Sequence, residues 1–174
     1  MTKEEVRVFS LERLNLATAK ILVDIGAGTG SVAIEACVRY PKLNVIAIEK
    51  NPEAIELIHK NREKFLIQNL TVVEGVAPND LPDCQADAVF IGGSGGYLEE
   101  AVDWSVQALI TGGRLVLNFI LLNNLIDAIK MIKKHPFIQV EVTQLQVSRL
   151  STLGEGVYFK PANPVYIVSC IKDK

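Results

Sequence analysis

A chain of 174 residues, 49% hydrophobic and 22% charged with a formal net charge of -2, fits one domain with a full core, and it is neither polar enough for disorder nor basic enough for a surface that coats nucleic acid. No apolar run reaches the ~18 residues needed to span a bilayer, and the polar start Met1-Thr2-Lys3-Glu4-Glu5 lacks the apolar centre of a signal peptide. The expected compartment is therefore the cytoplasm, with no membrane or nucleic-acid partner.

The chain alternates apolar, β-rich runs with stretches of helical period. In order these are a helix over 4–15, a strand over 21–25, a helix over 30–40, a strand over 43–48, a helix over 52–66, strands over 70–74 and 86–91, a helix over 97–108, a strand over 112–118 and a helix over 121–134. Asn51 and Pro52 suit the start of the third helix, and Pro136 stops the fifth. Short strands rich in Val, Ile or Leu and separated by helices predict a mostly parallel sheet covered on both faces. The tail departs from this rhythm, because 137–150 and 164–171 both read as strands. They are expected to pair antiparallel as a closing hairpin, with 151–163 as a long loop between them. By analogy of fold, five strand–helix units and an antiparallel pair outline the seven-stranded, Rossmann-like sheet of class I methyltransferases, in a single domain over 1–174.

The most informative segment is Asp24-Ile25-Gly26-Ala27-Gly28-Thr29-Gly30, where a buried strand runs into a glycine-rich turn and then a helix. Such a turn lets a ligand approach the backbone and offers free amides at the carboxyl edge of the sheet. In the dinucleotide fingerprint the third glycine follows the second by three residues; here it follows by two. Asp24 would repel a diphosphate but would welcome a cationic amino or sulfonium group. These features favour S-adenosylmethionine over NAD. Glu49, after the second strand and about twenty residues beyond the glycines, stands where a carboxylate grips ribose hydroxyls. After the third strand, Glu74-Gly75-Val76-Ala77-Pro78 can offer main-chain donors to an adenine edge, and Ala77 leaves room for the ring.

On the acceptor side, Gly92-Gly93-Ser94-Gly95-Gly96 has more glycine than a turn needs, so either a bulky ligand lies against it or the loop moves. The chain lacks the Asn/Asp-Pro-Pro-aromatic run of enzymes that methylate exocyclic amines. It also lacks a cysteine pair for covalent attack on pyrimidines. Cys37, Cys84 and Cys170 are odd in number without any Cys-x-x-Cys pair, and His59 and His135 lie far apart, so neither a disulfide framework nor a metal site is expected.

With these segments in view, the whole chain resembles the precorrin-6B and cobalt-precorrin-6B methyltransferases of cobalamin biosynthesis, which methylate carbon 15 and decarboxylate an acetate side chain. The likeness is carried by Thr2-Lys3-Glu4-Glu5-Val6-Arg7, the glycine turn, Glu49-Lys50-Asn51-Pro52, Glu74-Gly75-Val76-Ala77-Pro78, Gly92-Gly93-Ser94-Gly95-Gly96, Ile120-Leu121-Leu122 and Asn163-Pro164-Val165. It departs at Val76, where relatives have Asp. The resemblance implies cofactor contacts at Thr2, Gly26, Ala27, Gly28, Thr29, Gly30, Glu49 and Ala77, with S-adenosylhomocysteine as product. It also implies a homo-oligomer, a tetramer in relatives, with Trp104 or the terminal hairpin in the interface.

A reduced tetrapyrrole has an electron-rich bridging carbon and an electron sink for decarboxylation, so no catalytic acid or base is singled out. Its carboxylates need cationic or amide partners. Candidates are Lys3, Arg7, Arg149 and Lys160, with Asn118 and Ser94 as neutral donors; the expected substrate set is Gly92, Gly93, Ser94, Gly95, Asn118 and, chosen first among the cations, Arg149. The competing expectations are another small-molecule, protein or RNA acceptor, a non-catalytic Rossmann-like module, and an NAD-dependent oxidoreductase.

Overall fold

The computed structural model describes residues 2–93 and 95–174. Five parallel strands are laid down first: β1 (Ile21–Ile25), β2 (Asn44–Glu49), β3 (Leu70–Glu74), β4 (Ala86–Ile91) and β5 (Leu109–Phe119). The helices are α1 (Glu4–Leu14), α2 (Ser31–Arg39), α3 (Pro52–Lys64), α4 (Leu98–Ala108) and α5 (Leu122–Ile132). β6 (Phe137–Leu145), β7 (Ser148–Leu153), β8 (Gly156–Pro161) and β9 (Val165–Lys172) complete the chain. The main sheet has the order β3-β2-β1-β4-β5-β9-β6, with β9 antiparallel to both β5 and β6.

Alternation along the strands divides the core in two. Leu22, Val45, Ala88 and Phe90 point to α1, α2 and α3, where they meet Leu11, Leu14, Cys37 and Ile58. Val23, Val89, Leu115 and Leu117 point the other way, to Val102 of α4 and Ala128 and Ile132 of α5. Trp104 is partly buried against this second cluster. As expected from the sequence, Asn51 caps α3, its side chain accepting the Glu53 amide at 2.9 Å with Pro52 in the first turn.

The tail requires one correction. The first tail strand stops at Leu145, and 151–163 is not a loop: β7 and β8 form a separate two-stranded ribbon. Gly154, at a φ of +60°, and Glu155 form a two-residue turn between Leu153 and Gly156. Its glycines therefore punctuate a hairpin of Leu, Thr, Val, Tyr and Phe, residues that favour strands. β5 also begins three residues earlier than expected. Gly112, at a φ of +81°, lies beside a register shift between β4 and β5, so the glycine pair sits inside an irregular strand instead of at its start. Among the described residues no helix is long and apolar enough to cross a membrane.

β1 and β4 are parallel neighbours at the point where the strand order reverses, and their carboxyl ends open a crevice there.

Candidate active site

The crevice is built from backbone. The Gly26 and Ala27 amides both donate to the Ile48 carbonyl at 3.0 Å, and the Gly92 amide donates to the Ile25 carbonyl at 3.1 Å. The turns after β1 and β4 thereby pack so closely that a Cβ on Gly26, already at a φ of +69°, would overlap the Gly93 carbonyl. Gly28, at a φ of +57°, faces open space. One glycine is needed for contact between loops, the other leaves room for a guest.

Three cavities meet at Gly92–Gly93. The first, about 380 Å³, is bordered by Thr2, Lys3, Val6, Gly28, Asn118 and Asn163. The second, about 200 Å³, shares Gly26 with the first and is bordered by Glu49, Lys50, Ala77, Gly93 and Gly95. The third, about 220 Å³, is bordered by Gly92, Gly93, Asn118, Ile120 and Leu121.

Three amides hold the Glu49 carboxylate: Gly28 N at 2.7 Å on one oxygen, Lys50 N and Asn51 N at 2.9 Å on the other. It is thus fixed at the wall of the second cavity before any ligand arrives. Asp24 is fully buried at the end of β1, and neither carboxylate oxygen has a hydrogen-bond partner; Thr29 Oγ1 is buried and unpartnered too. Burial pushes the Asp24 carboxyl up to about 7, with added repulsion from Glu49; the nearby Ala33 amide pulls the other way but stands outside hydrogen-bond geometry. Unsatisfied buried polar atoms are costly, and their concentration under the glycine turn marks a place prepared for a partner. Burial also pushes Cys37 and Cys170 up to about 12, so neither offers a thiolate nucleophile.

A long, cationic nucleoside ligand fits this donor set. The second cavity offers Glu49 for hydroxyls and the small Ala77, the Gly26–Gly28 turn offers backbone, and Asp24 and Thr29 supply the orphaned oxygens. A profile of the precorrin methyltransferase domain matches residues 1–172. The chain belongs to the precorrin methyltransferase family. It is 47% identical to the cobalt-precorrin-6B C(15)-methyltransferase (decarboxylating) of Salmonella typhimurium, over all of this chain and 90% of that protein. With the probable cobalt-precorrin-6B C(15)-methyltransferase of Sulfurisphaera tokodaii it shares 39% identity over 97% of this chain and 88% of the relative. Its structure superposes on precorrin-6y C5,15-methyltransferase from Geobacter metallireducens with a TM-score of 0.91, at 41% identity, covering 99% and 91% of the two chains. A SAM-dependent O-methyltransferase from Thermotoga maritima, with a TM-score of 0.82 but 20% identity over all of this chain and 67% of that one, shares the fold. The architecture is that of class I S-adenosylmethionine methyltransferases.

In this precorrin methyltransferase the fold gathers Thr2, Gly26, Ala27 and Gly28 around the first cavity, and Glu49 and Ala77 around the second, with Asp24, Thr29 and Gly30 beneath or beside the turn. Gly92, Gly93, Gly95 and Asn118 also border the cavities. Ser94 lies outside the described residues. Asn118 is steered by α1: its Nδ2 donates to Ser10 Oγ at 3.0 Å, and the buried Ser10 hydroxyl donates to the Val6 carbonyl at 2.8 Å.

Two of the candidate cations are occupied. Arg7 is paired with Glu35 of α2 and donates to the Thr2 carbonyl at 3.2 Å, so it pins the opening segment against the body. Arg149 lies on β7, pairs with Glu5, and lines none of the three cavities. Its cross-strand neighbour is Lys160. Sequence reasoning had not singled out Lys50, Val6, Phe90 or the Ile120–Leu121 lip for the site. For Lys50 a signal existed, since it directly follows Glu49. The apolar residues looked like ordinary core.

Proposed function

We propose that this precorrin methyltransferase methylates carbon 15 of cobalt-precorrin-6B or precorrin-6B and decarboxylates the ring C acetate side chain, a step of cobalamin biosynthesis. The observation that carries this is the 47% identity to a curated enzyme of that activity along the entire chain. S-adenosylmethionine, when bound, supplies a methyl group on a positively charged sulfur.

Glu49, held by three amides, would accept the ribose hydroxyls, and Ala77 would leave space for the adenine. Thr2, Gly26, Ala27, Gly28, Thr29 and Gly30 would hold the methionine part, with Asp24 as the buried countercharge. Gly92, Gly93 and Asn118 would border the acceptor at the third cavity, with Gly95 at the adjoining second, where the absence of side chains admits a bulky ring. Orientation is the protein's main contribution, because a methyl transfer that extinguishes charge needs alignment more than proton transfer. Arg149 enters through Glu5, holding the first turn of α1 beside the first cavity. The chain is further read as a cytoplasmic homo-oligomer, a tetramer. Support comes from the β7–β8 ribbon, one face of which carries Leu150, Val157 and Phe159 at 64%, 67% and 69% exposure.

Anaerobic incubation with cobalt-precorrin-6B and S-adenosylmethionine, followed by mass spectrometry, tests the assignment. The expected product has gained a methyl group and lost carbon dioxide. Failure of either event would reduce the function to the other half, and failure of both would remove it.

A further inference from the structure

An acceptor rich in carboxylates needs cations where it docks, and the fold has committed most of the candidates elsewhere. Arg7 is tied to Glu35, Arg149 to Glu5, and Lys160 stands on the outlying ribbon. Two lysines remain at the cleft: Lys3 at the first cavity and Lys50 at the second. Among the described residues neither has a carboxylate within ion-pair distance.

The location of Lys50 is set by the glycines after β4. Gly95 and Gly96 turn at φ values of +60° and +102°, and a Cβ on Gly95 would stand 3.0 Å from the Lys50 ammonium. The ammonium therefore lies in the notch that a missing side chain leaves, reaching from the end of β2 to the loop beside Gly93. Glu49 does not account for it, since no ion pair joins the two side chains and that carboxylate is already held by three backbone amides. A cationic methyl donor does not account for it either, because its nucleoside is uncharged and its sulfonium is repelled by a lysine. An anionic acceptor does.

We propose that Lys50, seated against Gly95, is a specificity-determining cation that meets a carboxylate of the acceptor, with Lys3 serving the same purpose at the first cavity. The inference rests on the tetrapyrrole assignment above and adds which residues read the acceptor's charge. It explains the length of the glycine run: Gly92 and Gly93 make the floor where the cavities meet, while Gly95 accommodates a cation.

Steady-state kinetics with cobalt-precorrin-6B, together with calorimetry of S-adenosylhomocysteine binding, provide the test. Lys50→Gln is expected to raise the acceptor KM about five- to tenfold while kcat stays within about twofold, with a shallower dependence of kcat/KM on salt. Lys50→Arg should restore most of the loss, and Lys3→Gln should give a smaller rise of the same kind. Affinity for S-adenosylhomocysteine should stay unchanged, and Lys42→Gln, in the turn at the opposite edge of the sheet, should match wild type. An unchanged acceptor KM in Lys50→Gln, with wild type active, overturns the inference alone. A parallel loss of S-adenosylhomocysteine affinity also overturns it, since Lys50 would then serve the nucleoside. Wild type that does not turn over the acceptor overturns the tetrapyrrole assignment, and this inference falls with it.

Discussion

Asp24→Asn keeps the shape of a buried side chain and removes its charge. The Asp24 carboxyl, raised by burial from an ordinary 3.8 to about 7, keeps its proton in the folded chain over a range where the unfolded chain has lost it. Stability from this group is therefore fully present below the unfolded value, falls as pH rises toward about 7, and is flat above that. Between about pH 5.5 and about pH 8 the folded group titrates across roughly 1.5 units, which at 1.36 kcal/mol per unit costs wild type about 2 kcal/mol that the Asn variant retains. In a chain of this size that corresponds to about 4–8 °C in Tm. Scanning calorimetry at the two pH values should show the variant gaining on wild type by that amount as pH rises. At about pH 8, where the carboxyl is ionised, the same variant should bind S-adenosylmethionine at least tenfold more weakly, because the buried countercharge is gone. A Tm difference independent of pH would refute the burial argument, and unchanged affinity would refute the role of Asp24 toward the donor.

The two glycines of the turn should separate stability from binding. Gly26→Ala, whose Cβ would overlap the Gly93 carbonyl, is expected to cost more than ~3 kcal/mol or prevent folding, measured by denaturant unfolding. Gly28→Ala meets no neighbour and should cost only about 1 kcal/mol of backbone strain, while weakening S-adenosylhomocysteine binding measured by calorimetry. Glu49→Gln should lower that affinity roughly 10- to 100-fold and lower stability by about 1–3 kcal/mol, because its NH2 cannot accept from the amides that hold one of the carboxylate oxygens. Light scattering tests the proposed oligomer: wild type should have a mass above the monomer's, and Phe159→Asp, on the uncovered face of the ribbon, should lower it; a monomeric wild type or an unchanged mass would refute the ribbon as an interface.

Strand β1, the glycine turn and Glu49 were legible because each is a local signal. A short run of four apolar residues broken only by Asp24, a change to helical period, and glycines at fixed spacing depend only on neighbours in the chain. The tail was harder for the same reason. Gly154 and Gly156 carry the same local message in a loop and in a hairpin, and only the pairing of Leu150 with Phe159 and Thr152 with Val157 distinguishes the two. Arg149 shows a second limit: its composition and position suited a carboxylate contact, yet the partner it found, Glu5, is 144 residues away.

The sequence by itself determined the layered α/β order, the ends of the first five strands to within a few residues, and the glycine turn at the carboxyl edge of the sheet, since all of these follow from short-range periodicity and backbone permission. Only the tertiary structure decided which charges remain available at the cleft. Ion pairs such as Arg7 with Glu35 and Arg149 with Glu5 join residues remote in the chain, and the burial that raises Asp24 comes from the packing of helices on the sheet. A side chain's charge is written in the sequence, but its partners and its distance from water are properties of the folded whole.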